Sequence, residues 1–293
     1  MDIESDILIF ADDTSLLATG KSTEITSEIF NRDLQKISKW AAMWKVNFQA
    51  DKSEEIIFSR KRLESKNPLN LNGEIVKRVE THKHLGLYLS FNLDWSVQCH
   101  HVCLKAYRKL AVLRSVKLLK RHTLDVLYKI TVRSVLDYSL PVYFSSLNSK
   151  QKAKLEKIQY TAAKIVSGAL HNTSKVSLNN ELAWECIDTR AQFLGLSIFH
   201  KIVKNKTRPL LRECLPPRTI NHETLRSEGL RNFPFKGFCF ANSFFSMFTK
   251  KYNLLNSKTR KLNTLDFKSY LLNTMKPKKC KKIVMVRSLK TRY

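Results

Sequence analysis

Short apolar runs near the start of the chain predict strands joined by tight turns. Residues 7–11 and 14–18 form two such runs on either side of Asp12-Asp13. Each run is too short for a helix and is rich in strand-forming residues, while aspartate tolerates turn geometry. The pattern therefore predicts a β-hairpin that carries two carboxylates in its turn and is held by buried apolar neighbours.

Apolar residues then recur at helical spacing, which predicts an amphipathic helix over about residues 24–44. Ser22 or Thr23 is expected to cap this helix, and Trp40 and Trp44 are expected in its core-facing side.

More short strands are predicted after this helix, over residues 46–49, 55–59 and 83–89. Asn72-Gly73 between apolar runs predicts a two-residue hairpin, because this dipeptide suits a type I′ turn. Gly86 inside the last strand predicts a bulge or a close backbone approach.

Helical periodicity dominates after residue 95. One long helix has Val102, Ala106, Leu110 and Leu113 on a single face, and another helix is predicted over 124–135, ending near Pro141. A third, over 149–168, has Leu155, Ile158, Ala162 and Ile165 on its inward face. Strands and hairpins followed by helices predict an α+β fold.

Charge is the strongest global feature of the 293 residues. The chain has 52 Lys and Arg against 25 Asp and Glu, a formal net charge of +27. Such an excess favours a polyanionic partner, either nucleic acid or an anionic membrane surface. No stretch has the about 20 apolar residues of a spanning helix, and the start does not read as a signal peptide. The six scattered cysteines indicate reduced thiols and an intracellular protein.

The Asp12-Asp13 pair is the strongest candidate for chemistry. Adjacent carboxylates repel each other unless a cation lies between them, and Mg²⁺ takes one or two carboxylates together with substrate phosphates. The pair therefore suits part of a two-metal phosphoryl-transfer site. An ordinary solvated Asp-Asp turn is the alternative. Cys99, His100, His101 and Cys103 invite a zinc site, but no second Cys/His pair follows at finger-like spacing.

Several ordered motifs resemble the reverse transcriptases of non-LTR retrotransposons, the jockey-like or LINE-type enzymes. Phe10-Ala11-Asp12-Asp13 resembles their aromatic-x-Asp-Asp catalytic box. The next box of that family is matched by Trp44, Asn47, the run 51–54 and Phe58, and its Leu-Gly primer-grip hairpin by His84-Leu85-Gly86-Leu87. The weaker downstream matches are Gln159-Tyr160-x-Ala162-Ala163-Lys164-Ile165-x-x-Gly168, Trp184, Arg190 and Tyr252-Asn253-x-Leu255.

This resemblance implies an RNA-directed DNA polymerase with an RNA template, a DNA primer and Mg²⁺ as cofactor. Asp12 and Asp13 are then the catalytic, metal-binding carboxylates. The implied nucleotide or primer contacts are Phe10, Lys52, Leu85 and Gly86. Lys52 is otherwise a solvated loop lysine.

Basic helix faces are the candidate surface for nucleic-acid backbone. The residues concerned are Lys105, Arg108, Lys109, Lys154, Lys157 and Lys164. Lysine-faced helices suit the thumb of a polymerase, although solvated faces of a basic protein are the alternative.

The motifs divide the chain into a partial palm over 1–92, a helical thumb-like and connection region over 93–215, and a basic region over 216–293. The last region holds seven phenylalanines between 233 and 248, which suit a core or base stacking. The lysines at 276, 278, 279, 281 and 282 suit a nucleic-acid patch, a nuclear import signal or a solvated tail.

The resemblance also implies a further catalytic Asp on an earlier palm strand, which we do not find before Asp12. Two hypotheses follow. Under the first hypothesis, the chain is part of a mobile-element polymerase and is inactive unless the remaining palm and fingers are supplied. The second is a non-catalytic, basic nucleic-acid-binding protein derived from a retrotransposon.

Overall fold

The computed structural model describes residues 2–59, 67–170, 172–207, 209–221, 226–234 and 237–275. The chain forms two compact units, residues 1–97 and 98–293. The structure is mixed, 59% helical with several small sheets, which confirms the α+β class. The predicted division into three regions at residues 92 and 215 stays a prediction. None of the helices in the described ranges combines the length and apolar character needed to cross a membrane.

In its described residues, the first unit contains one long helix and eight short strands. Its elements are β1 (Asp6–Phe10), β2 (Asp13–Leu17), α1 (Thr23–Trp44), a 3-10 turn (Ala50–Lys52), β3 (Glu54–Glu55), β4 (Asn70–Leu71), β5 (Glu74–Ile75), β6 (Lys77–Arg78), β7 (Thr81–His84) and β8 (Leu87–Ser90). The strands pair as four two-stranded ladders, β1–β2, β3–β6, β4–β5 and β7–β8. Over the described part of this unit, these ladders do not join into a wider sheet.

The Asn72-Gly73 turn forms where the sequence predicts it, whereas a turn at Leu85-Gly86 interrupts a predicted strand. Asn72 and Gly73 have φ of 56° and 90°, as the predicted type I′ hairpin requires. Leu85 and Gly86 also have positive φ, 45° and 82°, and join β7 to β8. The predicted single strand over 83–89 is therefore wrong, because Gly86 lies in a hairpin turn and not in a bulge.

The predicted strand over 46–49 is also wrong, and that over 55–59 overlaps β3 only at Glu55. Residues 46–49 are held by side-chain packing and not by pairing with another strand. Phe48 packs against a small core that consists of Ala50, Leu69, Leu71 and Val76.

Helix α1 begins as predicted, with the Ser22 hydroxyl accepting a hydrogen bond from the Ile25 amide. The expected burial of the two tryptophans is wrong, since Trp40 is 38% exposed and Trp44 is 65% exposed. The neighbours of α1 explain this difference. The Asn31 side chain accepts from the Asn70 amide of β4, and the buried positions towards the end of the helix are Ile37 and Ala41, which do not include either tryptophan.

A buried carboxylate joins α1 to the residues just before β1. Asp33 is fully buried and accepts hydrogen bonds from the Glu4 amide at 3.1 Å, the Ser5 amide at 2.8 Å and the Ser5 hydroxyl at 2.7 Å. Burial raises the pKa of Asp33, but the hydrogen bonds from Ser5 and Glu4 outweigh it and the net pKa is lowered. Asp33 therefore ties the residues just before the first hairpin to helix α1.

The second unit is mostly helical. Its elements are α2 (Ser96–Ser115), α3 (Arg121–Leu127), a π-helical turn (Tyr128–Arg133), α4 (Ser134–Asp137), α5 (Leu140–Tyr143), a 3-10 turn (Phe144–Ser146), α6 (Ser149–Ser167), α7 (Lys175–Leu182), α8 (Ile187–Val203), α9 (Pro209–Glu213), β9 (Arg218–Asn221), β10 (Arg226–Leu230), α10 (Phe238–Ala241), α11 (Phe244–Asn253), α12 (Ser257–Lys261) and α13 (Thr264–Met275). Strands β9 and β10 pair antiparallel.

Amphipathic periodicity located the buried faces of these helices. The inward residues predicted for α2 are all buried, and so are Leu155, Ile158 and Ala162 of α6. The predicted helix over 124–135 extends from Arg121 to Asp137 with the π-helical turn in its middle. Pro141 lies in the first turn of α5, where its lack of an amide hydrogen costs no helical bond.

A second apolar core lies where α8 meets α11 and α13. It contains Phe199, Phe248 and Phe267, and a Cβ added at Gly195 would lie 1.8 Å from the Phe248 ring. Within this core, His200 stacks on Phe267 with ring centroids 3.8 Å apart.

The two ring nitrogens of His200 both have partners. Nε2 lies 3.0 Å from the Leu262 carbonyl oxygen and Nδ1 lies 2.9 Å from the Tyr252 hydroxyl. The carbonyl can only accept, so Nε2 carries the proton and Nδ1 accepts from Tyr252. Burial lowers the pKa of His200, in spite of the opposing hydrogen bond to Leu262.

We predict that Asp33→Asn loosens the first hairpin. Asparagine presents an amide nitrogen to two amide donors and a hydroxyl, so the substitution should cost about 1–3 kcal/mol of local stability. The measurement is hydrogen–deuterium exchange over residues 4–17, which should become faster. Glu28→Gln is the matched control, because it removes an exposed carboxylate from the same helix. Equal exchange in the two variants would show that Asp33 does not hold the hairpin.

We also predict that the second unit loses stability as the pH falls from 7 to 5.5. The pKa of His200 is lowered on folding, so the unfolded chain binds more protons below its ordinary pKa of about 6.5. The stabilisation is therefore present above that pKa and decreases as the pH falls. The urea midpoint should decrease more in the wild-type chain than in His200→Gln, and identical decreases would contradict the assignment.

Candidate functional site

The first hairpin presents the Asp pair at an exposed tip. Phe10 pairs with Asp13 across the ladder, so the two-residue turn is Ala11-Asp12 and Asp13 is the first residue of β2. The turn thus lies one residue earlier than predicted. Ala11 has φ of 53°, a left-handed conformation that residues with a Cβ rarely adopt. Both carboxylates are exposed to solvent.

The apolar residues of β1 are exposed, and the prediction that buried neighbours hold this hairpin is wrong. Ile7, Leu8, Ile9 and Phe10 are 40%, 46%, 63% and 60% exposed. Successive residues of a strand point to opposite faces, so both faces of the ladder are apolar. In the described part of the first unit no third strand pairs with this ladder, which explains the exposure. Apolar character on both faces is typical of strands that are covered on both sides.

The Asp pair fits only part of a two-metal site. Its two carboxylates match the number that Mg²⁺ takes from protein beside substrate phosphates. Among the described residues, however, no group of three or more His, Cys, Asp or Glu side chains is placed to hold a metal ion. A two-metal site that clamps both the attacking and the leaving oxygen needs further carboxylates.

The other predicted nucleotide and primer contacts lie on separate exposed turns. Lys52 ends the 3-10 turn before β3, and Leu85 and Gly86 form the β7–β8 turn. Phe10 lies on β1, and no ladder over the described residues joins these elements to one another. The roles assigned to Phe10, Lys52, Leu85 and Gly86 stay predictions.

The basic residues predicted to meet nucleic-acid backbone lie on two helices. Exposed members are Lys105, Arg108 and Lys109 on α2 and Lys154 and Lys157 on α6. Lys164 differs from them, because its Nζ lies 4.6 Å from the centroid of the Tyr160 ring. Backbone binding by the six residues stays a prediction.

The downstream motif residues pack the helical unit together. Gln159 is buried, accepts from the Tyr128 hydroxyl at 3.1 Å and donates to the Glu185 carbonyl at 2.8 Å. Trp184 stacks on Tyr128 with centroids 3.9 Å apart, and its ring nitrogen donates to Asp125 at 2.8 Å. These contacts assign the matched residues a structural role in this unit.

Arg190 completes the same network through ion pairs. Its guanidinium donates to both carboxylate oxygens of Asp137 and reaches Glu185 at 3.2 Å. Arg133 pairs with Glu185 at 2.6 Å from the π-helical turn. Burial raises the pKa of Glu185, but the two arginines outweigh that effect and lower it overall.

The remaining sequence candidates have mixed outcomes. Phe248 is buried, as a core residue should be, while Phe238 is 69% exposed. Cys99 and Cys103 are buried on the inner face of α2, whereas His100 of the zinc hypothesis is exposed. The lysines of 276–282 and Phe235 lie outside the described residues.

Asn253, from the weakest motif match, binds the backbone of β10. Its side chain accepts from the Leu230 amide at 3.1 Å and donates to the Leu230 carbonyl at 2.7 Å. Sequence reasoning missed the role of Asp33, although an acidic residue between the apolar positions of α1 was a usable signal.

Comparison with known proteins agrees with the motifs. The chain is 29% identical over 176 residues to the RNA-directed DNA polymerase from mobile element jockey of Drosophila melanogaster. That alignment covers 57% of this chain and 19% of the relative, so the chain spans less than a fifth of the relative's length. Neither a protein-family model nor a solved structure matches the chain. This match confirms the resemblance to the reverse transcriptases of non-LTR retrotransposons that the motifs indicated.

Proposed function

We propose that this chain carries part of the palm and the helical region of an RNA-directed DNA polymerase from a mobile element. The observation that supports it most is the Phe10–Asp13 segment, which forms a hairpin with both carboxylates exposed at its tip. In this proposal Asp12 and Asp13 hold Mg²⁺ against the phosphates of an incoming nucleotide. The bound metal would supply charge stabilisation for the transferring phosphoryl group.

The exposed apolar faces of β1 suit the same role. A polymerase palm requires this hairpin to lie within a larger sheet, where both of its faces are covered. We therefore propose that further palm strands pair with the β1–β2 ladder and bring the additional carboxylate. Asp33 would then set the angle at which the hairpin enters that sheet.

The basic helices suit the second part of this function, which is to hold template and primer. Lysines and arginines on α2 and α6 face solvent in a chain of net charge +27. Contacts from such residues to phosphates position a duplex without reading its sequence. A non-catalytic nucleic-acid-binding protein derived from a retrotransposon is the second candidate, favoured by the same charge and by the incomplete carboxylate set.

We predict that the 293-residue chain alone does not extend a DNA primer on an RNA template when Mg²⁺ and nucleotides are supplied. Two neighbouring carboxylates at one tip do not clamp both reacting oxygens, so a large share of the transition-state stabilisation is absent. The measurement is primer extension by the purified chain beside Asp12→Asn. Extension that the substitution abolishes would show a complete site in this chain and overturn the prediction.

A complementation experiment distinguishes the polymerase function from the non-catalytic binding function. When the upstream palm and fingers segment of a jockey-like element is added as a separate chain, extension should appear and should require Asp12. No extension under any such condition, with nucleic-acid binding intact, would favour the non-catalytic candidate.

We further predict salt-dependent binding of nucleic acid with little sequence preference. Each phosphate neutralised by Lys or Arg releases counterions, so affinity should fall at least about tenfold between 50 and 200 mM salt. Fluorescence anisotropy with two unrelated sequences, each single-stranded and duplex, is the measurement. Binding that salt does not weaken, or no binding at low salt, would contradict the proposal.

A further inference from the structure

Two adjoining cavities in the second unit form one cleft beside α6. They have volumes of about 350 and 190 Å³ and share Phe144, Lys152 and Asp188 in their walls. Helices α6, α8 and α11 contribute most of the lining. We call this space the Lys152 cleft.

Lysines outnumber carboxylates in the walls of the Lys152 cleft. The lysines are Lys152, Lys157, Lys175 and Lys251, and the carboxylates are Glu156 and Asp188. Glu156 is already compensated within the protein. One of its oxygens pairs with Lys175 at 2.8 Å and the other accepts from the Ile187 amide at 2.7 Å.

Asp188 is also partly compensated. It accepts from the Gln192 side chain at 2.5 Å and lies in the first turn of α8, where the helix dipole stabilises negative charge. In the smaller cavity, Lys152 and Lys251 therefore face a single carboxylate, Asp188, which has other partners. Lys152 Nζ lies 5.2 Å from the centroid of the buried Phe144 ring, so this lysine is held at the wall.

The electrostatics of Lys251 agree with this geometry. Burial lowers the pKa of Lys251, Asp188 raises it, and the charge of Lys152 lowers it further. Two ammonium groups that face one small space repel each other, and an anion placed between them would relieve that repulsion.

We propose that the Lys152 cleft binds a phosphate group between Lys152 and Lys251, and that this phosphate belongs to a nucleic-acid strand running along α6. The second part rests on the proposed function. The smaller cavity is below the about 300 Å³ of an ordinary ligand pocket, which suits a single anionic group. Exposed Lys157, which lines the larger cavity, continues the positive surface along the same helix.

The test measures binding of a labelled 20-nucleotide single-stranded DNA to the full chain by anisotropy at several salt concentrations. The variants are Lys152→Gln and Lys251→Gln. Lys250→Gln is the matched control, because it removes an exposed lysine next to Lys251 on the same helix. Circular dichroism establishes that each variant keeps its helix content.

Each cleft variant should weaken binding about fivefold at 0.1 M salt and lower the salt slope by about 0.7, the value for one phosphate contact to a single strand. The Lys250→Gln control should change the affinity and the salt slope no more than the loss of any other surface lysine would. Equal effects in all three variants would overturn the proposal, because they would show a general charge effect without a site.

A calorimetric titration with pyrophosphate distinguishes the two sources of the phosphate. Binding of pyrophosphate that both cleft variants abolish, with strand binding unchanged, would keep the phosphate site and overturn the strand as its occupant. If the wild-type chain binds no nucleic acid at low salt, the proposed function fails. The pyrophosphate titration then still decides whether the cleft binds phosphate.

Discussion

Pairing of buried and half-buried charges is the constraint on which the helical unit depends. Arg190 and Arg133 meet Asp137 and Glu185 between helices, where an unpaired charge would be costly. Each charge of this network faces two of opposite sign, so removing one residue leaves its partners with fewer compensating charges. The four residues therefore hold the helix that contains the π-helical turn against α8, and Gln159 extends the network to α6.

The first unit depends on a smaller set of contacts of the same kind. Asp33 satisfies three donors from the two residues that precede β1, and no other described carboxylate contacts those donors. The hairpin that carries Asp12 and Asp13 is therefore anchored at its base and apolar on both faces. Such a hairpin is suited to completing a larger sheet, which is the role that the proposed polymerase function requires.

Charge links this hairpin to the rest of the proposed function. A polymerase must hold a polyanion and also bring cations to its reacting phosphates. The chain supplies exposed Lys and Arg on α2 and α6, and in the smaller cavity of the Lys152 cleft it supplies two lysines beside one carboxylate. In the proposed function, carboxylates at the hairpin tip and ammonium groups on the helices would serve these separate needs.

Local spacing alone determined much of this protein. The periodic apolar residues of α1, α2 and α6, the Asn72-Gly73 turn and the hairpin at Asp12-Asp13 follow from interactions between residues close in sequence. Only the tertiary structure decided which surfaces are covered. The burial of Asp33 and the meeting of Lys152 with Lys251 depend on partners 28 and 99 residues away, and the exposure of Trp44 and β1 shows where no described element covers them. Periodicity carries no information about such partners, because it describes one element at a time.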